Sequence, residues 1–284
     1  MSKRRQRRLV CSALVLGVGG WALPAAGATL QPGDDPQTSA IWLKVRASLF
    51  PGRNIAPAPP GMLTLQAPAR AIDAAVVPIA IRAHWPHVAT RYVSKLYLII
   101  DANPSPISAI FQFTPDSGRA DVETRVRVDD YSHVRAIAET SDGQLFMTTR
   151  FVKASGGCSA PAGGDAAAAR AAMGKMRFRV DGDLRGSEPV LVQLMIDHPN
   201  HSGLAMDQYT RQFTPAHYVR KVDVSYRGRP VLSADLDFSM SENPNFRFYL
   251  RPEAGADAGE LRASVVDSQG LRFEASHALA ATAP

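Results

Sequence analysis

Asp121-Val122-Glu123-Thr124-Arg125-Val126-Arg127-Val128 alternates strictly, with Val122, Thr124, Val126 and Val128 on one face and the charged residues on the other. A period of two places successive side chains on opposite faces, so the segment reads as a β-strand covering a core with one face. The same period extends in both directions. Upstream, Val76 to Ala83, Tyr92 to Ile100 and Ile107 to Phe113 are β-rich runs; downstream, His133 to Thr140 and Gln144 to Val152 form a hairpin around Ser141-Asp142-Gly143. Short strands separated by turn residues predict a β-sandwich. Ahead of them, Ser39 to Phe50 predicts a short helix, with Ser39 as N-cap, Ile41, Trp42, Val45 and Leu49 on one face, and Pro51-Gly52 as its stop.

Beyond residue 152 the composition changes. Gly156 to Gly174 is dominated by Gly, Ala and Ser and offers almost no large apolar face, so it reads as an interdomain linker, with a helical turn or two over Ala166 to Met173. Alternation resumes at Met176, Phe178 and Val180. It continues through Val190 to Ile196, Val222 to Tyr226, Phe246 to Leu250, Leu261 to Val265 and Leu271 to Ala275. The expected architecture is all-β: two β-sandwich domains joined by a flexible Gly/Ala-rich linker that carries a cysteine, with a short N-terminal helix. The boundaries are 39–153 for the first domain, 154–174 for the arm and linker, and 175–280 for the second.

The 284 residues carry a net charge of +6, which raises the question of nucleic-acid binding. The charge is concentrated at the start: Lys3, Arg4, Arg5, Arg7 and Arg8 precede an apolar run from Leu9 to Leu23, and Ala26-Gly27-Ala28 closes it with small residues. This pattern predicts a signal peptide over 1–28, with a retained anchor as the alternative. Setting those residues aside leaves 27 bases against 26 acids, and the nucleic-acid reading loses its support. The expectation is export to a bacterial periplasm, with no membrane attachment after cleavage.

Cys11 lies in the leader, so the mature chain has a single cysteine, Cys158, and no internal disulfide can form. Its surroundings, Ala154-Ser155-Gly156-Gly157-Cys158-Ser159-Ala160-Pro161, contain nothing large and apolar, so the thiol is expected on an exposed, mobile tether. A glycine-rich arm cannot hold a thiol against a base or an oxyanion hole, which argues against a cysteine hydrolase. It suits a covalent carrier: glycines give reach into a narrow channel, and tethering raises the local concentration of a cargo at a docked partner. Cys158 is therefore the candidate carrier thiol, with Gly156 and Gly157 supplying flexibility. An exposed thiol also predicts a disulfide-linked dimer. No phosphate loop, dinucleotide fingerprint or haem-attachment motif is present, and no cofactor is expected. His198, His201 and His217 form a weaker alternative, a metal site; their spacing favours isolated surface histidines. Asp235 and Asp237 share a strand face without further acid–base context.

The chain resembles a known family. Gly156-Gly157-Cys158 after a β-domain resembles the carrier arm of SoxY, the sulfur-carrying subunit of a periplasmic thiosulfate-oxidising system. The likeness includes the Trp42 helix, Val77-Pro78-Ile79-Ala80-Ile81, Asn103-Pro104-Ser105-Pro106 and Phe111-Gln112-Phe113. Residues 176–277 resemble its partner SoxZ through Met176-Arg177-Phe178-Arg179-Val180, Ile196-Asp197-His198-Pro199, Asn243-Pro244 and Asp267-Ser268-Gln269-Gly270. The resemblance implies immunoglobulin-like folds that form a heterodimer, here fused in one chain, and a carrier without turnover of its own. In a separate SoxY the arm ends the chain as Gly-Gly-Cys-Gly-Gly; here Ser159-Ala160-Pro161 follows and the thiol lies on an internal loop. This arrangement more closely resembles fused SoxYZ-like proteins associated with pyrroloquinoline-quinone-dependent alcohol dehydrogenases. The implied partners are enzymes of a sulfur-oxidation or quinoprotein dehydrogenase pathway. The alternative is a non-covalent docking module for such a dehydrogenase or its cytochrome.

Overall fold

The computed structural model describes residues 30–161, 163–207, 210–253 and 258–280. The signal-peptide expectation over 1–28 falls outside them. Helix α1, Ala40–Leu49, begins where the Ser39 hydroxyl accepts the Trp42 N–H at 3.3 Å, as its N-cap position requires. Eight strands follow: β1 Ile55–Pro57, β2 Leu63–Gln66, β3 Val77–Ala83, β4 Val93–Ile100, β5 Ile107–Phe113, β6 Val122–Val126, β7 Ser132–Thr140 and β8 Leu145–Val152. After a second helix, α2 at Ala166–Ala172, come β9 Met176–Asp181, β10 Val190–Ile196, β11 Val219–Tyr226, β12 Arg229–Leu236, β13 Asn245–Leu250, β14 Ala258–Asp267 and β15 Arg272–Ala280. Among the described residues no helix is long and apolar enough to cross a membrane.

The strands form two sheets, ordered β1-β8-β7-β4-β5-β12-β11-β14-β15 and β2-β3-β6-β13-β10-β9. Each half of the chain contributes strands to both layers, so each half is a sandwich, as the alternation predicts. The halves meet edge to edge. β5 pairs with β12 from Phe113↔Leu232 to Ala109↔Leu236, and β6 meets β13 at Glu123↔Arg247. Two edges that would otherwise expose unpaired N–H and C=O groups are satisfied in this way. The core is continuous across the joint: Phe111 of the first half and Phe246 of the second lie edge to face at 6.1 Å, and both are buried.

A smaller cluster lies outside the larger sheet. Trp42 and Val45 from α1, with Phe50 at its C-terminal end, cover Tyr97, Ile99, Ile137, Leu145 and Met147. This second cover explains why β4 ends in an unbroken buried run instead of alternating. Under the helix Arg135 is fully buried against Asp101, with its guanidinium 4.4 Å from the Trp42 ring centroid.

Two expectations at the strand level change. In the opening segment Glu123 and Arg125 face outward, but Asp121 and Arg127 are buried. β6 ends at Val126, which bridges to Met240, and the chain beyond it turns Arg127 into the joint between the halves. Asp237 lies past the end of β12 and so does not share its face with Asp235.

Candidate functional site

Val152 ends β8, and the chain then runs into the joint between the two halves. Gly156 adopts a left-handed φ of 76°, which glycine permits without a Cβ penalty, and its N–H donates to the Asp129 carbonyl at 2.6 Å. The Gly157 N–H donates to the Val128 carbonyl at 3.1 Å. A Cβ at Gly157 would lie 2.1 Å from the Ala74 carbonyl oxygen and 2.5 Å from that of Val128, so only glycine fits. The Cys158 N–H donates to Asp129 Oδ1 at 3.2 Å, and the Ser202 hydroxyl donates to the Cys158 carbonyl. Arg127 completes the berth, donating from Nη1 to the Gly157 carbonyl at 3.3 Å and from Nη2 to the Asn200 carbonyl at 3.4 Å.

The arm is thus docked, and Cys158 is fully buried, which corrects the expectation of an exposed, mobile tether. The physical reason is local. A Gly-Gly-Cys backbone carries three N–H groups and three carbonyls in little volume; the Ser159 hydroxyl donates to the Gly156 carbonyl, and residues at the seam partner the other five groups. Glycine's small size, read from sequence as freedom, here permits close approach to the Ala74 and Val128 backbones. While the arm is docked the thiol cannot reach a second copy, so a disulfide-linked dimer requires the arm to leave first.

Burial first, and then the Asp129 carboxylate, push the Cys158 thiol up to about 12, with Arg127 pulling the other way. The nucleophilic thiolate is therefore scarce in the berth at neutral pH. Arg127 is itself only 3% exposed, its Nε has no hydrogen-bond partner, and among the described residues it makes no ion pair with a carboxylate. Its burial draws it below its ordinary value. Arg135, by contrast, is equally deep but is answered by Asp101.

Residues that the chemistry-first reading passed over brace the berth. Asn103 accepts the Asp129 N–H at 2.9 Å and donates to the Arg127 carbonyl at 2.8 Å and the Ser239 hydroxyl at 3.0 Å. Its place in Asn103-Pro104-Ser105-Pro106 was the available signal. Nothing local marks Ser202 or Arg127 as partners of the arm, or Asn200 as the partner of Arg127, since the fold alone brings them together.

His198, His201 and His217 are not isolated surface residues. The His198 and His217 rings meet edge to face at 4.8 Å, and the third member of the group is Asp267 rather than His201. His217 Nε2–H donates to Asp267 Oδ2 at 2.7 Å, while His198 Nε2 lies 3.7 Å from the same oxygen. His201 pairs with His217 through the backbone. Donor type and proximity suit a metal ion, but the tautomer does not. His198 Nδ1 accepts the Asn200 N–H at 3.1 Å, so the neutral ring carries its proton on Nε2, the atom a metal would need. Burial and then the His217 ring press His198 down to about 4. Burial alone would raise Asp267, but His217 and the Leu271 and Gln269 amides draw it below its ordinary value. The group works as a fastener: it ties the loop after β10 to the approach to β11 and to the β14–β15 turn.

Comparison with known proteins gives two family matches in tandem. Residues 46–158 match the family described as sulfur oxidation protein SoxY, and residues 179–278 match sulphur oxidation protein SoxZ. Curated proteins give no match. Among solved structures, the sulfur carrier protein SoxY from Chlorobium limicola f thiosulfatophilum is 22% identical, covering 41% of this chain and 97% of that one, with a TM-score of 0.35. A structure titled as manganese lipoxygenase of Gaeumannomyces graminis with partial zonadhesin of Komagataella pastoris is 9% identical, covering 78% and 94%, with a TM-score of 0.25. The SoxY match ends at Cys158, the last residue of the docked arm.

Proposed function

The chain is a SoxYZ-like fusion, a SoxY domain followed by a SoxZ domain, and from that premise we propose that it is a periplasmic covalent carrier. Cys158 holds a sulfur or related adduct and presents it to partner enzymes. The reading rests on one observation: the SoxY match terminates at the Gly156-Gly157-Cys158 arm. The basic, apolar and small-residue leader supports export. The arm continues into a linker instead of ending the chain, which favours partners in a quinoprotein dehydrogenase-linked oxidation over thiosulfate oxidation. The protein acts as a carrier without turnover of its own.

The berth gives this reading a cycle. Docked, the thiol is neutral and shielded; released, it recovers ordinary thiol reactivity. Intact-protein mass spectrometry on material isolated from the native periplasm, before and after reduction, tests the proposal. A reducible mass increment mapping to Cys158 is expected, and Cys158→Ser abolishes it while leaving the fold intact. One observation favours a second reading: full burial of Cys158 suits a non-covalent docking module. Under that reading the thiol stays unmodified during active metabolism and Cys158→Ser preserves pathway function.

A further inference from the structure

The smaller sheet turns one face away from the core, and its register aligns a row of side chains across six strands. Gln66 lies opposite Ala80, Ala80 opposite Glu123, Glu123 opposite Arg247, Arg247 opposite Gln193 and Gln193 opposite Arg179. The row crosses the joint between the halves, so it exists only because β6 meets β13. Above it lies a groove of about 660 Å³, with Ala67, Pro68, Pro78 and Ala80 on the side of the first half.

The groove is cationic. Arg82 and Arg247 both bind Glu123, each at 2.7 Å, so one carboxylate answers two guanidinium groups. Arg125 and Arg179 are exposed and make no ion pair among the described residues. Arg177, further along β9, is answered by Asp197. Counting Asp181 at the end of β9 with Glu123 still leaves four guanidinium groups against two carboxylates.

We propose that this face is a docking surface for an acidic, extended segment of a partner protein. The spacing selects the occupant. Arg125 on β6 and Arg179 on β9 are three strand intervals apart across the sheet and two residues apart along it, about 16 Å at roughly 4.8 Å per interval and 3.3 Å per residue. A single small oxyanion cannot span that distance, whereas about five extended residues can. Guanidinium forks bind carboxylates in two-pronged fashion, and like-signed faces repel, which disfavours a second copy of this chain placed face to face.

The position of the groove links it to the arm. The chain that leaves β6, the strand carrying Glu123 and Arg125, runs on to Val128, whose carbonyl receives the Gly157 N–H. From Arg125 to Val128 is about 10 Å at roughly 3.3 Å per residue, so a partner seated here has the Cys158 berth beside it. The partner's identity as the enzyme that loads or unloads Cys158 rests on the carrier reading; the charge complementarity does not.

The test uses the full chain and a peptide of roughly ten glutamates, long enough to cross the groove, bearing a photo-crosslinker. Binding at low ionic strength is expected to weaken as salt is added, with crosslinks on β6, β13 and β9. Arg125→Glu with Arg179→Glu weakens it by about tenfold or more, while Arg262→Glu with Arg272→Glu, which alters total charge equally on the larger sheet, stays within about twofold. Equal loss in both double variants, or crosslinks elsewhere, overturns the proposal. So does displacement of the peptide by millimolar inorganic sulfate, which would make the groove a small-anion site. Salt-sensitive dimerisation abolished by the first double variant would assign the face to a second copy and overturn it as well. Cys158→Ser binds the peptide normally, so groove and carrier readings fail separately: an adduct without peptide binding leaves the carrier, and peptide binding without an adduct leaves the groove.

Discussion

Gly157 decides whether the thiol is stored or free. Its missing Cβ lets the arm lie against Ala74 and Val128, and Gly157→Ala forces a methyl to within 2.1 Å of a carbonyl oxygen. The berth is held mainly by hydrogen bonds, each contributing about 1 kcal/mol net, so opening costs a few kcal/mol and is local. Alkylation of wild-type Cys158 is expected to be about a hundredfold or more slower than that of a free cysteine, with Gly157→Ala recovering most of the difference while the thermal midpoint barely moves. Unchanged alkylation in that variant would rule out the berth as the cause of protection. A second consequence follows from the thiol, pushed up to about 12 from 9.0. Because the docked state favours the protonated form, docking is at full strength below about pH 9 and is lost as pH rises toward 12. The wild-type alkylation rate should therefore keep climbing beyond pH 9, where a free cysteine levels off; in Gly157→Ala the plateau returns to near pH 9. Sequence alone made Cys158, Gly156 and Gly157 legible as residues, because their chemistry and isolation are local. Their burial was not legible, because the groups that bury them, on Ala74, Arg127, Val128, Asp129 and Ser202, are distant in sequence.

At the scale of elements, α2 and β6 make opposite cases. α2 is seven residues, six of them alanine, with no buried side chain and one cap: Asp165 Oδ1 accepts the Ala167 N–H at 2.7 Å and the Ala168 N–H at 3.4 Å. Helices this short do not persist on propensity alone, so the cap matters disproportionately. Asp165→Ala should cost the helix about 1 kcal/mol, seen as faster hydrogen exchange over residues 166–172 with no change in the strands. Loss of strand protection as well would show that α2 supports the sandwiches. The sequence showed this helix faintly, through alanine content, and showed β6 clearly through its alternation. β1 and β2 left no signal, being three and four residues long, below the length at which a period can be recognised. Alternation alone places Arg127 on the solvent face because periodicity assumes the strand continues. It ends one residue earlier, and the side chain enters a joint formed by residues about seventy positions away.

On the scale of the whole molecule, the sequence suggested two sandwiches that a linker lets swing, and the joint makes them move as one. Five residue pairs between β5 and β12 form a sheet ladder across the boundary. The Thr114 hydroxyl donates to the Pro230 carbonyl at 2.7 Å, and the Ser117 hydroxyl donates to the Val231 carbonyl at 2.7 Å. Arg251 reaches back to the His87 carbonyl at 3.0 Å. A shared core and shared sheets leave neither half a complete surface of its own, so unfolding should be a single calorimetric transition. The covalent link is then dispensable for assembly. It leads from the arm into the second half, whose Ser202 donates to the Cys158 carbonyl. A protease site inserted at Gly163 to Asp165, which are exposed, tests this directly. After cleavage the two fragments should co-elute at the mass of the intact chain and retain slow Cys158 alkylation, because the berth is built from both. Fragments that separate, or two transitions in the uncut protein, would mean that the ladder is too weak to hold the halves and that the linker does so instead. Co-elution with fast alkylation would place the linker's contribution in the berth alone, because shortening the arm's freedom at its C-terminal end is the one constraint the cut removes.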